Sequence, residues 1–461
     1  MDKMLIVSAD GHSAMPMEAW TEYLDKEHHK YLARLRNEKD MFCNSMQLLN
    51  DMMLSPEAIE IFDKEGVYRA GRWSGVWDMD VRLQEMDREG VAAEFVFPGD
   101  HRCQDLFWNT SNASYPIPTV DAGVRAWNRW CHDAFGAAAD RLLLIGAPLS
   151  GVDLDALIHE AHWLADHGFT GMFTPGYCPV PGQTPVYDAY WDPLWSVCAE
   201  RNLVLVTHAG WGMEQGFMFG EISAAIAEVE AEGGGDQELA AKLIASVFNA
   251  EGVFNDLRPR RGVWQFMLSG VFDRHPKLKM MVTEIRADWI PATFKLLDQR
   301  WEENRDKLPG KRRPSEYWGP NCMAGLSFMN KAEAEMRHEI GVHNMAFGRD
   351  YPHTEATWPN TLAYFSDIFR DVPEKEVRAI LGENVIGFLG LDRAKLAAIA
   401  ERIAPTYRQI AEGPGLEAAL VDHLNIRCGY GLPAEGTSRI AAMEVMLNKD
   451  LGRIPAVASA R

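Results

Sequence analysis

The stretch Met4-Leu5-Ile6-Val7-Ser8-Ala9-Asp10-Gly11-His12 runs an apolar strand into a carboxylate and an imidazole. Alternate residues of a strand face one side, so spacing i, i+2 aims Asp10 and His12 at one point. A hard oxygen donor beside a borderline nitrogen donor suits a divalent metal ion. Such an ion needs further ligands, and these are expected at the ends of other strands.

Outward from this stretch, apolar runs recur at Ala92–Pro98, Leu142–Leu149, Gly171–Pro175, Leu203–His208, Leu278–Glu284, Cys322–Phe328 and Met345–Asp350. Helical patterns separate them: Asp80–Glu89, Val120–Ala138, Asp153–His167, Asp188–Arg201, Val263–Arg274, Ala287–Glu303, Lys331–Ile340 and Pro359–Phe369. Asp153–His167 carries Leu154, Leu157, Ile158, Ala161 and Leu164 at the spacing of one helix face. Eight short strands, each followed by a helix, define an α/β chain of parallel units and favour a (β/α)8 TIM-type barrel. An open doubly wound sheet is the alternative, but no Gly-x-Gly-x-x-Gly turn follows the first strand.

The barrel is expected over residues 1–404, with insertions at about 14–77, 211–261 and 305–320 on its active-site face. Residues 405–461 form a C-terminal helical extension, expected to cover the barrel or wrap a partner subunit.

Composition narrows the function. The 461-residue chain has a formal net charge of -20, which repels phosphate backbones and argues against nucleic-acid binding. No apolar run reaches the ~18 residues of a membrane span, so no membrane partner is expected. The first apolar run passes directly into Asp10, unlike a signal peptide. Seven scattered Cys without a CxxC motif fit reduced thiols in a cytoplasm. Fifteen Trp and 22 Met serve a large core, and some could line a pocket for an apolar or aromatic substrate.

Further candidate ligands end other strands: His208 the fifth, Glu284 the sixth, Asp350 the eighth. Singly, His208 reads as a polar cap, Asp350 as the N-cap of a following helix, and Glu284 as a partner for Arg286 or Arg349. All carboxyl ends of a parallel barrel open on one face, so together they form one candidate site with Asp10 and His12. That donor set accepts Zn, Mn or Fe, as one ion or two. An open position on such an ion activates water or polarises a carbonyl.

Around the site, His353 follows Asp350 by three residues and is a candidate acid or orienting group. Trp211 follows His208 by three. His101 and Arg102 lie on the loop after the second strand, and Arg286 follows Glu284. Arg72, with Arg69 beside Trp73 and Trp77, is a second candidate clamp for a substrate carboxylate. His28 and His29 lie in a charged helical stretch, where solvent exposure is the default.

Several motifs carry a family resemblance. They are Arg82-Leu-Gln-Glu-Met-Asp87-Arg-Glu-Gly-Val91, Phe95-Val-Phe-Pro98, Ala126-Trp-Asn128-Arg-Trp, Asp140-Arg141-Leu, Gly270-Val-Phe-Asp-Arg-His-Pro276, Trp289-Ile-Pro291, Gly348-Arg-Asp350-Tyr-Pro-His353 and Gly382-Glu-Asn384. In order and spacing, residues 4–392 resemble the amidohydrolase superfamily, in the amidohydrolase-related branch that includes aminocarboxymuconate-semialdehyde decarboxylase. The resemblance implies metal ligation by Asp10, His12, His208 and Asp350, with Asp350 also handling the proton of metal-bound water. It also implies a homodimer, by analogy alone.

The chain departs from that pattern at two ligand positions. Its first strand has Asp-x-His, where many relatives have His-x-His or Glu-x-His. Glu284 stands where the branch's known decarboxylases have His. No Lys stands in the fourth strand, so a second metal would need Glu284 or another carboxylate to bridge. The sequence alone therefore favours a metal-dependent hydrolase of an amide, ester, thioester or activated C–C bond in a small acidic or aromatic substrate, with Asp350, Glu284 and His353 catalytic. Non-oxidative decarboxylation of an aromatic or muconate-like acid is the alternative, and a non-catalytic barrel with a structural metal ranks third.

Overall fold

The computed structural model describes residues 2–37, 40, 56–99, 115–176, 183–212, 257–327, 329–353, 356–428, 430 and 439–459. Nine strands form one parallel sheet: β1 (Val7–Ser8), β2 (His12–Ser13), β3 (Ala93–Pro98), β4 (Leu142–Gly146), β5 (Gly171–Phe173), β6 (Val204–Thr207), β7 (Met280–Ile285), β8 (Cys322–Ser327) and β9 (Met345–Gly348). β1 and β2 both pair with β3 and are two halves of the first of eight staves. The sheet curls until its ends meet. Ala9 N–H donates to Phe347 O at 2.7 Å, Asp350 N–H to Asp10 O at 3.1 Å and His12 N–H to Tyr351 O at 2.7 Å. The fold is thus the (β/α)8 barrel expected from the alternation of runs.

The staves are buried along their whole length, which explains their continuous apolar runs rather than alternation. The intervening helices form for local reasons as well. Asp78 accepts from the N–H groups of Asp80 and Val81 and starts Met79–Arg88. Asp153 caps Leu154–Asp166 through Ala156 N–H. Asn202, at φ 54°, ends Asp192–Arg201. One expected helix is two: Leu257–Leu268 stops before Gly270, whose φ of 72° suits glycine, and Val271–Arg274 follows. Lys331–Ile340 likewise divides into Lys331–Glu335 and Arg337–Ile340.

Two staves carry an extra residue where the sequence places a candidate ligand. Ser8 pairs with Glu94 but His12 pairs with Phe97, so one residue bulges around Asp10 and Gly11. Val282 pairs with Ala324 but Ile285 with Leu326, placing a second bulge at Thr283 and Glu284. Bulges re-aim side chains and cluster beside active sites. Simple i, i+2 alternation therefore does not describe the path from Asp10 to His12.

The C-terminal extension lies on the barrel's own surface. Ala418–Cys428 packs on Pro56–Phe62, and Asn330 Nδ2 donates to Tyr430 O at 3.0 Å. Ile440–Ser459 packs on Leu257–Leu268 and Ile290–Asn304. Buried Asp450 fixes it, accepting from Arg261 (2.9 and 2.6 Å) and Trp264 Nε1 (2.9 Å). Among the described residues no helix is long and apolar enough to cross a membrane.

Candidate metal centre

The carboxyl ends of the first, fifth and eighth staves bring Asp10, His12, His208, Asp350 and His353 together, all buried. Asp10 Oδ1 lies 3.5 Å from His12 Nε2 and 3.5 Å from His208 Nε2. Asp350 Oδ1 lies 3.1 Å from His12 Nε2 and 3.1 Å from His353 Nδ1. Among the described residues, two groups have the geometry to hold an ion: Asp10, His12 and His208, and the overlapping set His12, Asp350 and His353. Ligand atoms about 2.0–2.2 Å from one ion stand roughly 3–3.5 Å apart, so the first group fits a single ion.

Hydrogen bonding gives a second test. His208 Nδ1 faces two acceptors, Glu284 Oε2 at 3.0 Å and Ala209 O at 3.1 Å, so it carries the ring hydrogen. In the neutral ring Nε2 then turns a lone pair toward the Asp10 carboxylate. Two lone-pair donors facing each other at 3.5 Å call for a positive charge between them, a proton or a metal ion. Burial works against the charged ring, but Glu284 and Asp10 overcome it and push His208 up to about 9.

Neighbours hold these groups in place. Ser327 Oγ–H, at the end of the seventh stave, donates to Asp10 Oδ2. The His12 and His353 rings stack at 4.0 Å. Phe97 packs edge-on against His208 at 4.9 Å and stacks on Phe173 at 5.4 Å, giving the cluster an aromatic flank. Glu284 and Asp350 adopt left-handed φ values of 50° and 53°, conformations that cost energy in residues with a Cβ and gather at functional sites.

The other residues singled out from sequence divide clearly. Glu284 belongs to neither ligand group and sits on the Nδ1 side of His208, away from the nitrogen that faces Asp10. A carboxylate 3.0 Å from a ring nitrogen can orient the imidazole. Trp211 is buried and donates Nε1–H to Thr174 O at 3.0 Å. Arg286 pairs with Asp288 at 2.7 Å. Arg72 points to the helix Met79–Arg88, bonding Glu85 at 2.7 Å and Gln84 at 2.8 Å, while Arg69 pairs with Glu60 at 2.8 Å. His101 and Arg102 lie outside the described residues. His28, expected in solvent, is buried with Nδ1 3.1 Å from Thr119 Oγ1. Sequence reasoning missed Ser327, Phe97 and Phe173; only their positions near stave ends hinted at a role.

A closed parallel barrel with a His/Asp cluster at its carboxyl face defines a class of metal-dependent enzymes. The chain belongs to the amidohydrolase family: a family model described as Amidohydrolase matches residues 28–391. No curated protein matches the sequence. Among solved structures, an amidohydrolase from Mycobacterium avium subsp. paratuberculosis K-10 is similar at TM-score 0.55 and 19% identity, covering 85% of this chain and 100% of that one. A dihydroxybenzoic acid decarboxylase from Polaromonas sp. JS666, solved with manganese and 2-nitroresorcinol, gives 0.54 and 15% over 86% of this chain and 99% of that one. A 5-carboxyvanillate decarboxylase from Sphingomonas paucimobilis gives 0.52 and 16%, covering 84% and 99%. At these identities the likeness is one of fold.

Proposed function

We propose that this chain is a metal-dependent, non-oxidative decarboxylase of a small aromatic acid, with Asp10, His12, His208 and Asp350 as the metal ligands. One observation carries the reading: the ligand cluster is flanked by aromatic rings and closed in by His353, while Glu284 is engaged with His208 Nδ1. A hydrolase needs a base for water; the sequence offered Asp350 or Glu284, and the second, beside His208 Nδ1, is less available for it. Engaged behind an imidazole, it orients a ligand instead. The decarboxylases of similar fold support the same choice, moving the balance from hydrolysis to the alternative weighed from the sequence.

A divalent ion held by these residues would supply positive charge that favours binding of an acid. The chain's own groups do the rest. Phe97 and Phe173 favour a flat ring beside the cluster. Asp350 hands a proton to the ring carbon as the bond to the carboxylate breaks. The electron pair of that bond stays on the ring and takes the proton, and CO2 leaves. His353 Nδ1, 3.1 Å from Asp350 Oδ1, resupplies the Asp350 carboxyl group with a proton.

The test is to incubate the purified, manganese-loaded chain with hydroxybenzoates and 5-carboxyvanillate in D2O. The expected result is CO2 release with one deuterium at the vacated ring carbon. Hydrolysis of acyl esters or thioesters with no CO2 from any aromatic acid would overturn the proposal.

A further inference from the structure

Beneath the ligand cluster lies a group of charges that the chemistry above does not use. Glu94, on the second stave, is fully buried between two fully buried arginines. Its Oε2 accepts from Arg82 Nε at 2.7 Å and from an Arg349 terminal nitrogen at 2.9 Å, and its Oε1 accepts from Arg349 Nε at 2.7 Å. Arg349 reaches on to Glu89 Oε2 at 2.9 Å. Two cations and two anions are thus enclosed together.

Both ends of the network touch the backbone that carries candidate ligands. Arg82 donates to the carbonyl of His12. Arg349 directly precedes Asp350, and its own N–H donates to Ser8 Oγ at 2.8 Å, whose hydroxyl donates to Asp10 O at 2.6 Å. The Tyr351 ring lies under both guanidinium groups, at 4.8 and 4.9 Å, and its carbonyl accepts from His12 N–H. Gly11, between Asp10 and His12, rests on the ion pair: a Cβ there would stand 2.6 Å from Arg82 and 2.8 Å from Glu94 Cδ. The Asp-Gly-His motif needs its glycine because the Arg82–Glu94 pair fills that space.

Buried ion pairs add little net stability over well-packed apolar groups, since desolvation offsets attraction. Their directional bonds do fix geometry. We propose that Glu94 is a positioning residue of the metal centre, setting the Asp10–His12 bulge through Arg82 and the Asp350 turn through Arg349. This inference rests on the ligand reading above. It also gives a physical task to the Arg82–Val91 motif, which supplies Arg82 and Glu89.

The experiment uses the full-length, metal-free chain, with Mn2+ titrated calorimetrically into wild type, Glu94→Gln, Arg82→Lys, Asp450→Asn and His208→Ala, and the melting temperature of each recorded. Arg82→Lys keeps the charge, so it tests the same path should Glu94→Gln fail to fold. The expected result is a Mn2+ Kd raised by about 10–100-fold in Glu94→Gln and Arg82→Lys, the range for groups that orient ligands. Asp450→Asn, whose carboxylate bonds Arg261, Trp264 and Gln265 and no ligand residue, is expected to lower the melting temperature and leave the Kd alone. A wild-type Kd in folded Glu94→Gln and Arg82→Lys, with binding lost in His208→Ala, would overturn the positioning role alone. A wild-type Kd in His208→Ala would overturn the ligand reading itself.

Discussion

Replacing Ser327 with Ala removes one hydroxyl and tests how the Asp10 carboxylate is aimed. Ser327 Oγ–H donates to Asp10 Oδ2, and both residues are fully buried. That bond leaves Oδ1 turned toward His12 and His208 at 3.5 Å each. A hydrogen bond to a charged group contributes about 1.5–3 kcal/mol. If all of it serves to hold the ligand in its binding orientation, the loss in affinity is about 10–150-fold, at ~1.4 kcal/mol per decade. The metal-free state also loses the bond, so the lower end of that range, about tenfold, is expected. The assay is Mn2+ titration of metal-free protein, with melting temperature as the check on folding. An unchanged Kd in a folded Ser327→Ala protein would refute the argument that this hydroxyl aims Asp10.

Three further outcomes follow from the geometry. Asp450→Ala strips its partners from Arg261 and Trp264; Arg261 is partly solvated, so the cost is about 2–3 kcal/mol, seen as a lower melting temperature with unchanged Mn2+ affinity. Glu284→Gln removes an anion whose charge raises the His208 pKa, so an NMR titration of the metal-free variant should place that ring below about 9. The sign for stability follows: metal-free wild type loses stability as pH rises from about 6.5 to about 9, and the variant should show a weaker decline over that window. Phe97→Leu exchanges a ring stacked on Phe173 for an aliphatic group and should raise KM for an aromatic acid about 2–10-fold, the equivalent of ~0.5–1.5 kcal/mol, with metal content intact.

The order of staves was legible because each is largely apolar and some helices bring their own cap, as Asp78 and Asp153 do. The residues that meet at the mouth were legible for the same reason, since they end those runs. The local path was not. One-residue bulges at Asp10 and at Glu284 leave no mark in an apolar pattern, and they decide which way the side chains point. Partners far apart in sequence were equally hidden. Arg349 meets Glu94 across 255 positions and Ser327 meets Asp10 across 317, and neither pairing has a local signature. Arg72, beside two tryptophans, stood as a candidate clamp, and nothing in its neighbourhood signalled that Glu85 of the following helix bonds its guanidinium.

The central claim is that Asp10, His12, His208 and Asp350 hold a divalent ion on which activity depends. The most direct measurement is the metal content of purified, manganese-loaded protein by mass spectrometry, for wild type and for His208→Ala. About one ion per chain is expected in wild type and almost none in the folded variant, since the facing pair of Asp10 and His208 is then broken. Equal metal content in the two proteins would contradict it.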